Sequence, residues 1–596
     1  MKRRVIALLA AATMICASFS GCGKEKNKET ADTSNKQTES QDTTDSTTGD
    51  ATQDTQETGD KVYSESEIKH FTQFTDRAGN ELTSDNEIKK LIASKIGADC
   101  EETWLVGQTA EEAIGLLIAS GEYPDFLNYS ADLYDAGALV PLEDYIEKYP
   151  NLKNLWSEAQ YETLRKEDGH IYSIPQFDTI NGESTTCRHG GEAFWIQTRV
   201  LKWDNYPVIE SLDQLFDLLE RYYAANPTMT DGTDIIPFGI LAYDWTYFCL
   251  ENPPQFLDGY PNNGRCIVLP DTKQVVDYNT TDTAKRYFKK LNEEYKKKIV
   301  DQEFITMNKD QFEEKVSSGR VLCFVEQQWD IQTAWDSIKA QGMEDCQYVP
   351  LGITIEPGMS EAYGAQAEPA VLTGGISVTT SCEDVDGAMK FLNDLLDPEI
   401  LRLRYWGIEG VDYCVGDDGL FYRTEEQRAQ AVKQEYKDSH MCSYSYMPGY
   451  SNGYDFDGIN AINPNNQPGE FFASLDKPIQ ECLQAYGAQT MLQMLDPVTI
   501  DTDKEPWYPM WSAVNDLPSG TKTDEVWSKM EACKQEWTPK LVVADDFEKA
   551  WADYMTAYEK TGKDHFFKSM QEVVYQRYEM ITGEDIRPEG YEVPEF

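Results

Sequence analysis

The sequence predicts an α/β protein with two cores and largely parallel sheets. Three observations predict it. Helix-period segments alternate with short apolar runs. The stretch from Val62 to Phe596, about 535 residues, exceeds what one ordinary core supports. No internal repeat offers a solenoid instead. Ile68–Thr75 has strand character and opens the body. Asn86–Ile96 places Ile88, Leu91, Ile92 and Ile96 at helical spacing, and Glu111–Ala119 repeats this with Ala113, Ile114, Leu117 and Ile118. Gly121-Glu122-Tyr123-Pro124-Asp125 ends that helix, and Phe126-Leu127 reads as a short buried strand. Leu133–Tyr149 reads as helix with a break at Pro141, and Ile171–Phe177 as another strand. Gly, Pro, Asn and Tyr are frequent from Tyr405 to Pro518, which predicts long loops. Val526–Gly583 reads as strongly helical, with Gly583 as its stop.

The N-terminus places the protein outside the cytoplasm. Lys2, Arg3 and Arg4 precede an apolar run from Val5 to Ala17, broken only by Thr13, and Phe19-Ser20-Gly21-Cys22 follows. This is the layout of a secretory signal over residues 1–21. The run is too short for the roughly 20 residues that cross a bilayer as a helix. Small residues ending at a Cys resemble the lipobox of bacterial lipoproteins, with Phe19 where Leu is usual. That resemblance implies cleavage before Cys22 and lipid on its thiol. Gly23–Lys61 contains no aromatic residue and no Leu, Ile, Val or Met. Such a segment cannot offset its ordering entropy by burial, so residues 22–61 read as a tether. As a flexible coil it would span roughly 35 Å.

Composition excludes several functions. The chain carries 104 Asp and Glu against 53 Lys and Arg, a formal charge of −51, and losing the leader's three cations makes the mature chain more acidic still. A body this acidic repels nucleic acid. The five histidines, His70, His170, His189, His440 and His565, are too scattered for a His-based metal site, and neither a Walker A string nor a G-x-G-x-x-G occurs. The 13 cysteines are widely and irregularly spaced; the 11 beyond Cys22 read as mostly buried thiols. Gly449-Tyr450-Ser451-Asn452-Gly453 matches the nucleophile elbow as a string, but Pro448 before it and the Asn, Gly and Pro after it are loop chemistry. No cofactor and no catalysis are expected. The 13 Trp, 34 Tyr and 23 Phe are more telling, because flat rings with a polar edge suit ligands such as sugars.

Several strings, in order, resemble the extracellular solute-binding proteins of ABC importers, in particular the large carbohydrate-type lipoproteins. They are Ala119-Ser120-Gly121-Glu122-Tyr123-Pro124-Asp125-Phe126 followed by Gly137–Ile146, Asp168-Gly169-His170-Ile171-Tyr172-Ser173-Ile174-Pro175, and Glu192–Arg199. Gly374-Gly375-Ile376-Ser377-Val378 with Ala388–Leu396, and Trp406–Tyr413, complete the set. The resemblance implies a two-lobe fold, crossings near Ile174–Glu183 and Leu372–Val378, and a ligand cleft that closes by hinge motion. It divides the body into 62–178 plus 376–440, and 179–375 plus 441–596. It implies a monomeric receptor on the outer face of the cytoplasmic membrane, anchored through Cys22, that delivers a sugar or oligosaccharide to an ABC permease. The alternatives are a peptide or other solute, a receptor that reports to a sensor kinase, and a secreted glycosidase.

By the same resemblance, Tyr129, Trp329 and Trp511 fall at positions of stacking aromatics and Asp132 at that of a hydroxyl-binding carboxylate. Trp245 and Tyr247 on a loop of the second lobe, and Gln176 and Asp178 at the crossing, complete the expected ligand set. Large members also resemble Asn226–Pro237 with a calcium loop. Here Asn226, Thr228, Thr230 and Ile235 replace ligands and Asp234 alone remains of the acidic set, which predicts a turn with little or no affinity for calcium.

Overall fold

The computed structural model describes residues 62–596 apart from 78, 108, 167, 181–183, 369–373, 503 and 513–519. The expected leader, tether and Cys22 lie outside the described residues. The first strand, β1 (Lys69–Thr75), alternates buried Phe71, Gln73 and Thr75 with more exposed neighbours, as a strand with one covered face does. Helix α1 (Glu87–Ile96) starts where Asn86 accepts a hydrogen bond from the Lys89 N–H at 2.9 Å, and ends on Gly97 at φ 72°. It leads into β2 (Ala98–Trp104). A reciprocal Thr109–Glu112 cap opens α2 (Ala110–Ser120), and Gly121 ends it. Then come β3 (Phe126–Asn128) and α3 (Ala131–Asp135), capped by Ser130.

Beyond these run β4 (Phe177–Ile180), β5 (Glu192–Gln197), α4 (Leu212–Ala225), β6 (Ile236–Gly239), α5 (Phe248–Glu251), β7 (Val321–Gln327), β8 (Tyr348–Leu351), β9 (Ile376–Val378) and β10 (Gly449–Gly453). Three helices close the chain: α6 (Lys522–Val543), α7 (Phe547–Glu559) and α8 (Lys563–Thr582). Gly583, at φ 72°, is the C-cap of α8, as its position predicts. The Ile171–Phe177 strand is only partly realised. Ile174 makes a single bridge to Ile376, and the strand proper is β4, paired parallel with β10. The G-x-S-x-G string is therefore the irregular strand β10, with no helix directly behind it.

One sheet has the order β9-β3-β1-β2, with β1 parallel to β2 and β3 and β9 antiparallel to β3. The other has the order β8-β5-β7-β6, in which only β6 and β7 are parallel. The expectation of largely parallel sheets is thus corrected to mixed sheets. All six residues of β5 are buried, and a strand covered on both faces carries no alternation from which to read its direction.

Two large apolar cores result. One joins Phe71, Phe126 and Ile174 to Ile376, Phe391, Tyr444 and Ile462. The other joins Trp195, Phe216, Phe324 and Tyr348 to Phe471, Trp527 and Phe566. The chain thus passes from first core to second, back, and over again. The expected division at 440/441 comes too early, because Cys442, Tyr444, Met447 and Ile462 pack in the first core. The 11 cysteines beyond Cys22 are all unpaired thiols, nine of them buried.

Candidate functional site

In an open α/β sheet, ligands meet the carboxyl ends of parallel strands. Strands β1, β2 and β3 bring Asp76, Trp104 and Asn128 to one such edge. Asn128 Nδ2 donates to Asp76 Oδ1 at 2.7 Å. Gln176, in the outgoing crossing, donates through Nε2 to Asn128 Oδ1 at 3.3 Å and to the Tyr446 carbonyl at 2.5 Å. The Trp104 and Tyr446 rings meet edge to face at 5.7 Å, and the Arg77 guanidinium lies 5.8 Å from the Tyr446 ring centre. Trp104 Nε1 is buried without a hydrogen-bond partner among the described residues.

Tyr129 follows directly. Its N–H donates to the Gly375 carbonyl at 2.8 Å, which ties β3 to the returning crossing. Gly375 has φ 118°, and a Cβ there would meet the Ile174 carbonyl at 2.4 Å, so only glycine lets the two crossings lie this close. The Lys166 ammonium sits 4.5 Å from the Tyr129 ring centre, and the half-buried ring packs against the cluster of Ile114, Leu127 and Leu133. Asp132 is exposed in the first turn of α3. The side chain of Asp178, on β4, lies outside the described set.

The second core carries a cavity of about 550 Å³, within the usual range for small-molecule sites. Its wall is formed by α5 with Asn252, by Asn262, Gly264 and Arg265 of the following loop, and by Gln327 at the end of β7. Trp511 and the Glu531 and Gln535 side chains of α6 complete it. Trp511 is fixed by its backbone, whose N–H donates to the Asn263 carbonyl at 2.6 Å, while the adjacent Met510 is fully buried. Gly264 makes the approach possible: it has φ 61°, and a Cβ would stand 2.7 Å from that of Trp511. The Trp511 ring is left 43% exposed. Trp329, in the turn after β7, is 56% exposed, and its Nε1 donates to Gln327 Oε1, so the second expected tryptophan adjoins a wall residue of the cavity. Among the described side chains only Trp203 joins these two as an exposed tryptophan, and it packs edge-on against Tyr222 beneath Arg221.

Tyr247 also lines the cavity but does not match its expected role as a ligand-facing loop residue. It is 7% exposed. Its hydroxyl donates to the Lys534 carbonyl at 3.1 Å and pairs with Thr538 Oγ1, so its polar end is committed to α6. Burial pushes its ionisation well up. Trp245 is on the same short turn, Asp244–Tyr247, and its side chain lies outside the described set.

Charges in this pocket are paired. Lys534 and Glu251, both buried, form an ion pair at 3.0 Å. Arg265 reaches Glu531 at 3.4 Å. The Arg265 guanidinium lies 4.5 Å from the Trp527 ring centre and the Lys534 ammonium 4.8 Å from it. Burial raises the Glu531 carboxyl above its ordinary range, opposed by Arg265 and Lys534. Behind the wall, burial pushes Glu326 up to about 8, although Cys249 Sγ and the Gln327 N–H donate to it at 2.7 and 2.8 Å. Glu192 is likewise raised by burial, and Asn252 Nδ2 donates to it at 3.0 Å while Tyr278 donates to Asn252. None of the described lining residues is Ser, Thr, Cys or His. Wall and pockets offer hydrogen bonds and flat apolar faces, the chemistry of holding a polar ligand.

Sequence reasoning missed Arg265, Glu531, Gln535 and Asn262. Only Asn262, in Pro261-Asn262-Asn263-Gly264, had a local turn signal; the α6 residues read as solvent-facing until the helix is docked. The Asn226–Pro237 segment closes on itself: Met229 N–H donates to the Thr233 carbonyl at 2.7 Å, Ile235 N–H to the Pro227 carbonyl at 3.0 Å, and Thr233 N–H to Asp231 Oδ1 at 2.8 Å. Those contacts from Thr233 hold the Asp231 carboxyl below its ordinary range. No cluster of three or more His, Cys, Asp or Glu suited to a metal occurs among the described residues, and no described helix is long and apolar enough to cross a membrane.

Residues 106–408 match the family model described as bacterial extracellular solute-binding protein. The chain is 21% identical over 486 residues to the fructooligosaccharide ABC transporter substrate-binding protein FusA of Streptococcus pneumoniae, covering 78% of this chain and 82% of that one. It is 22% identical over 350 residues to the polygalacturonan/rhamnogalacturonan-binding protein YtcQ of Bacillus subtilis, covering 57% of this chain and 66% of that one. The solved structure of FusA in complex with kestose superposes with a TM-score of 0.55 at 17% identity, covering 85% of this chain and 99% of that one, a likeness of fold. With its mixed-sheet, two-core α/β architecture, this chain belongs to the family of bacterial extracellular solute-binding proteins.

Proposed function

We propose that the protein is a saccharide receptor that captures a sugar or oligosaccharide between its two lobes and delivers it to an ABC permease. The observation that carries this reading is Trp511, held half-exposed by its backbone over a cavity walled by amide and carboxylate side chains. A flat ring beside such groups suits a sugar, which presents C–H faces and hydroxyl edges. Trp329 extends this aromatic rim through its bond to Gln327. From the first lobe, Tyr129, Asp132, Gln176 and Asp178 supply the facing surface, joined by Asp76, Asn128 and Trp104. Hinge movement at the crossings brings the two surfaces onto the ligand, and the permease reads the closed form. The names of FusA and YtcQ, both binders of carbohydrate polymers or oligomers, support the ligand class.

The receptor works as a single chain at the outer face of the cytoplasmic membrane, tethered by residues 22–61 and lipid on Cys22. Two acyl chains suffice for stable anchoring where one is marginal. Thermal unfolding of residues 62–596 against a panel of mono- and oligosaccharides tests the ligand class. A ligand at 100 times its Kd adds about 2.7 kcal/mol of stability. A selective upward shift with one sugar class is expected. Hydrolytic turnover of any sugar, or shifts with peptides alone, would overturn the reading.

A further inference from the structure

We propose that the site selects uncharged saccharides and discriminates against uronic acids; this rests on the saccharide reading above. The two relatives named by sequence point to opposite chemistries, since fructooligosaccharides are neutral and polygalacturonan carries a carboxylate on each galacturonate ring. The pocket on the second lobe decides between them. Recognition of a carboxylate needs a cation that is free to pair with it, best an arginine presenting two N–H groups. Here each cation already has an acidic neighbour that balances its charge: Lys534 has Glu251 at 3.0 Å, and Arg265 Nη1 has Glu531 at 3.4 Å, while Arg265 Nε has no hydrogen-bond partner among the described residues. Lys534 is 1% exposed, so its charge is turned away from the cavity mouth. Two carboxylates, Glu251 and Glu531, line the cavity. A uronate entering this space would have to compete with Glu531 for Arg265 beside two carboxylates already in place, and a buried carboxylate left without its own cation is costly.

The remaining polar groups suit hydroxyls. The Asn262 and Gln535 side chains line the cavity with no hydrogen bond to another described residue, and an amide both donates and accepts. Asn252 and Gln327 are held by Tyr278 and Trp329, which orients what they still offer. A neutral sugar hydroxyl likewise donates and accepts, so it matches this wall without any charge to compensate. The field of the whole protein acts in the same direction, because a chain of net charge −51 slows the approach of polyanions at low salt. On the first lobe, Arg77 adjoins Asp76 at 4.0 Å. Lys166 lies over the face of Tyr129 at 4.5 Å.

The test uses residues 62–596 and two probe sets of matched length: neutral oligosaccharides, including fructooligosaccharides, and oligogalacturonates. Calorimetric titration is expected to show binding of a neutral oligosaccharide and at least tenfold weaker binding of every oligogalacturonate. The Glu531→Gln variant frees Arg265 and is expected to narrow that ratio by about tenfold, with unfolding in the absence of ligand serving as the check on its fold. Equal or tighter binding of oligogalacturonates by the unaltered protein would overturn the neutral-ligand inference and leave the saccharide reading standing. Loss of that binding in Lys166→Ala would then assign the selectivity to the first lobe. Binding of neither set, with a solute of another class bound, would overturn both. A Glu531→Gln variant that folds and keeps the original ratio would remove the Arg265–Glu531 pair as the cause.

Discussion

At the scale of single residues, exposure separates the aromatics proposed to face a ligand from those that hold the fold. Trp329 is 56% exposed and Tyr247 is 7% exposed, although both fall beside the same cavity. Trp329→Ala is expected to leave the unfolding midpoint without ligand unchanged and to weaken saccharide binding by about 1 kcal/mol beyond the lost area, read by titration. Tyr247→Phe is expected to behave oppositely. It removes a buried hydroxyl shared between Lys534 and Thr538, so denaturant unfolding should show a loss of about 1 kcal/mol with ligand affinity little changed. These two were not separable in the sequence, because each is an aromatic in a polar loop context and only docking of α6 commits the Tyr247 hydroxyl. Trp511 was legible through its neighbours Pro509, Met510 and Ser512, whereas Gly264, which lets it approach, carries meaning only once the two segments meet.

At the scale of elements, local rules were readable and pairing direction was not. The caps at Asn86, Gly97, Thr109 and Gly121 stand where short-range chemistry puts them. Strand β5 is buried throughout, so its antiparallel partners left no trace in its apolar pattern. The polar residues of α6 that reach the pocket were equally hidden, since Glu531, Lys534 and Gln535 read as surface on an isolated helix. Strand β7 leads to a titration. Burial raises Glu326 to about 8, so the folded state prefers its protonated form. That contribution is fully present below the ordinary carboxylate pKa and is lost as pH rises through about 8. Glu102, raised to about 7 by burial, acts with the same sign. Stability measured by denaturant is therefore expected to fall between pH 5 and about 8.5, and Glu326→Gln to flatten part of that fall; an unchanged slope would contradict the assignment. The Asn226–Pro237 turn is satisfied by its own backbone and offers few acidic ligands, so calcium added to metal-free protein is expected to leave the unfolding midpoint in place.

At the scale of the whole molecule, the chain visits its two cores alternately, and both strand-end edges come from different lengths of chain. The two-lobe plan was legible from chain length and the order of the family-like strings. The last crossing was not, because short helices and loops from Tyr405 onward carry little periodicity, and the first core extends to Ile462. The proposed anchor belongs to this scale too. Cys22→Ser is expected to release the protein into the medium, as followed by fractionation of cells and supernatant, and unchanged membrane retention would contradict lipidation at that thiol.

The proposed function places a saccharide against Trp511 over the second-lobe cavity. The most direct measurement is a calorimetric titration of residues 62–596 and of Trp511→Ala with the saccharide that thermal unfolding selects. Saturable one-to-one binding by the unaltered chain and roughly tenfold weaker binding by the variant are expected, with equal unfolding midpoints when no ligand is present. Equal affinities for the two proteins, with the variant fully folded, would contradict it.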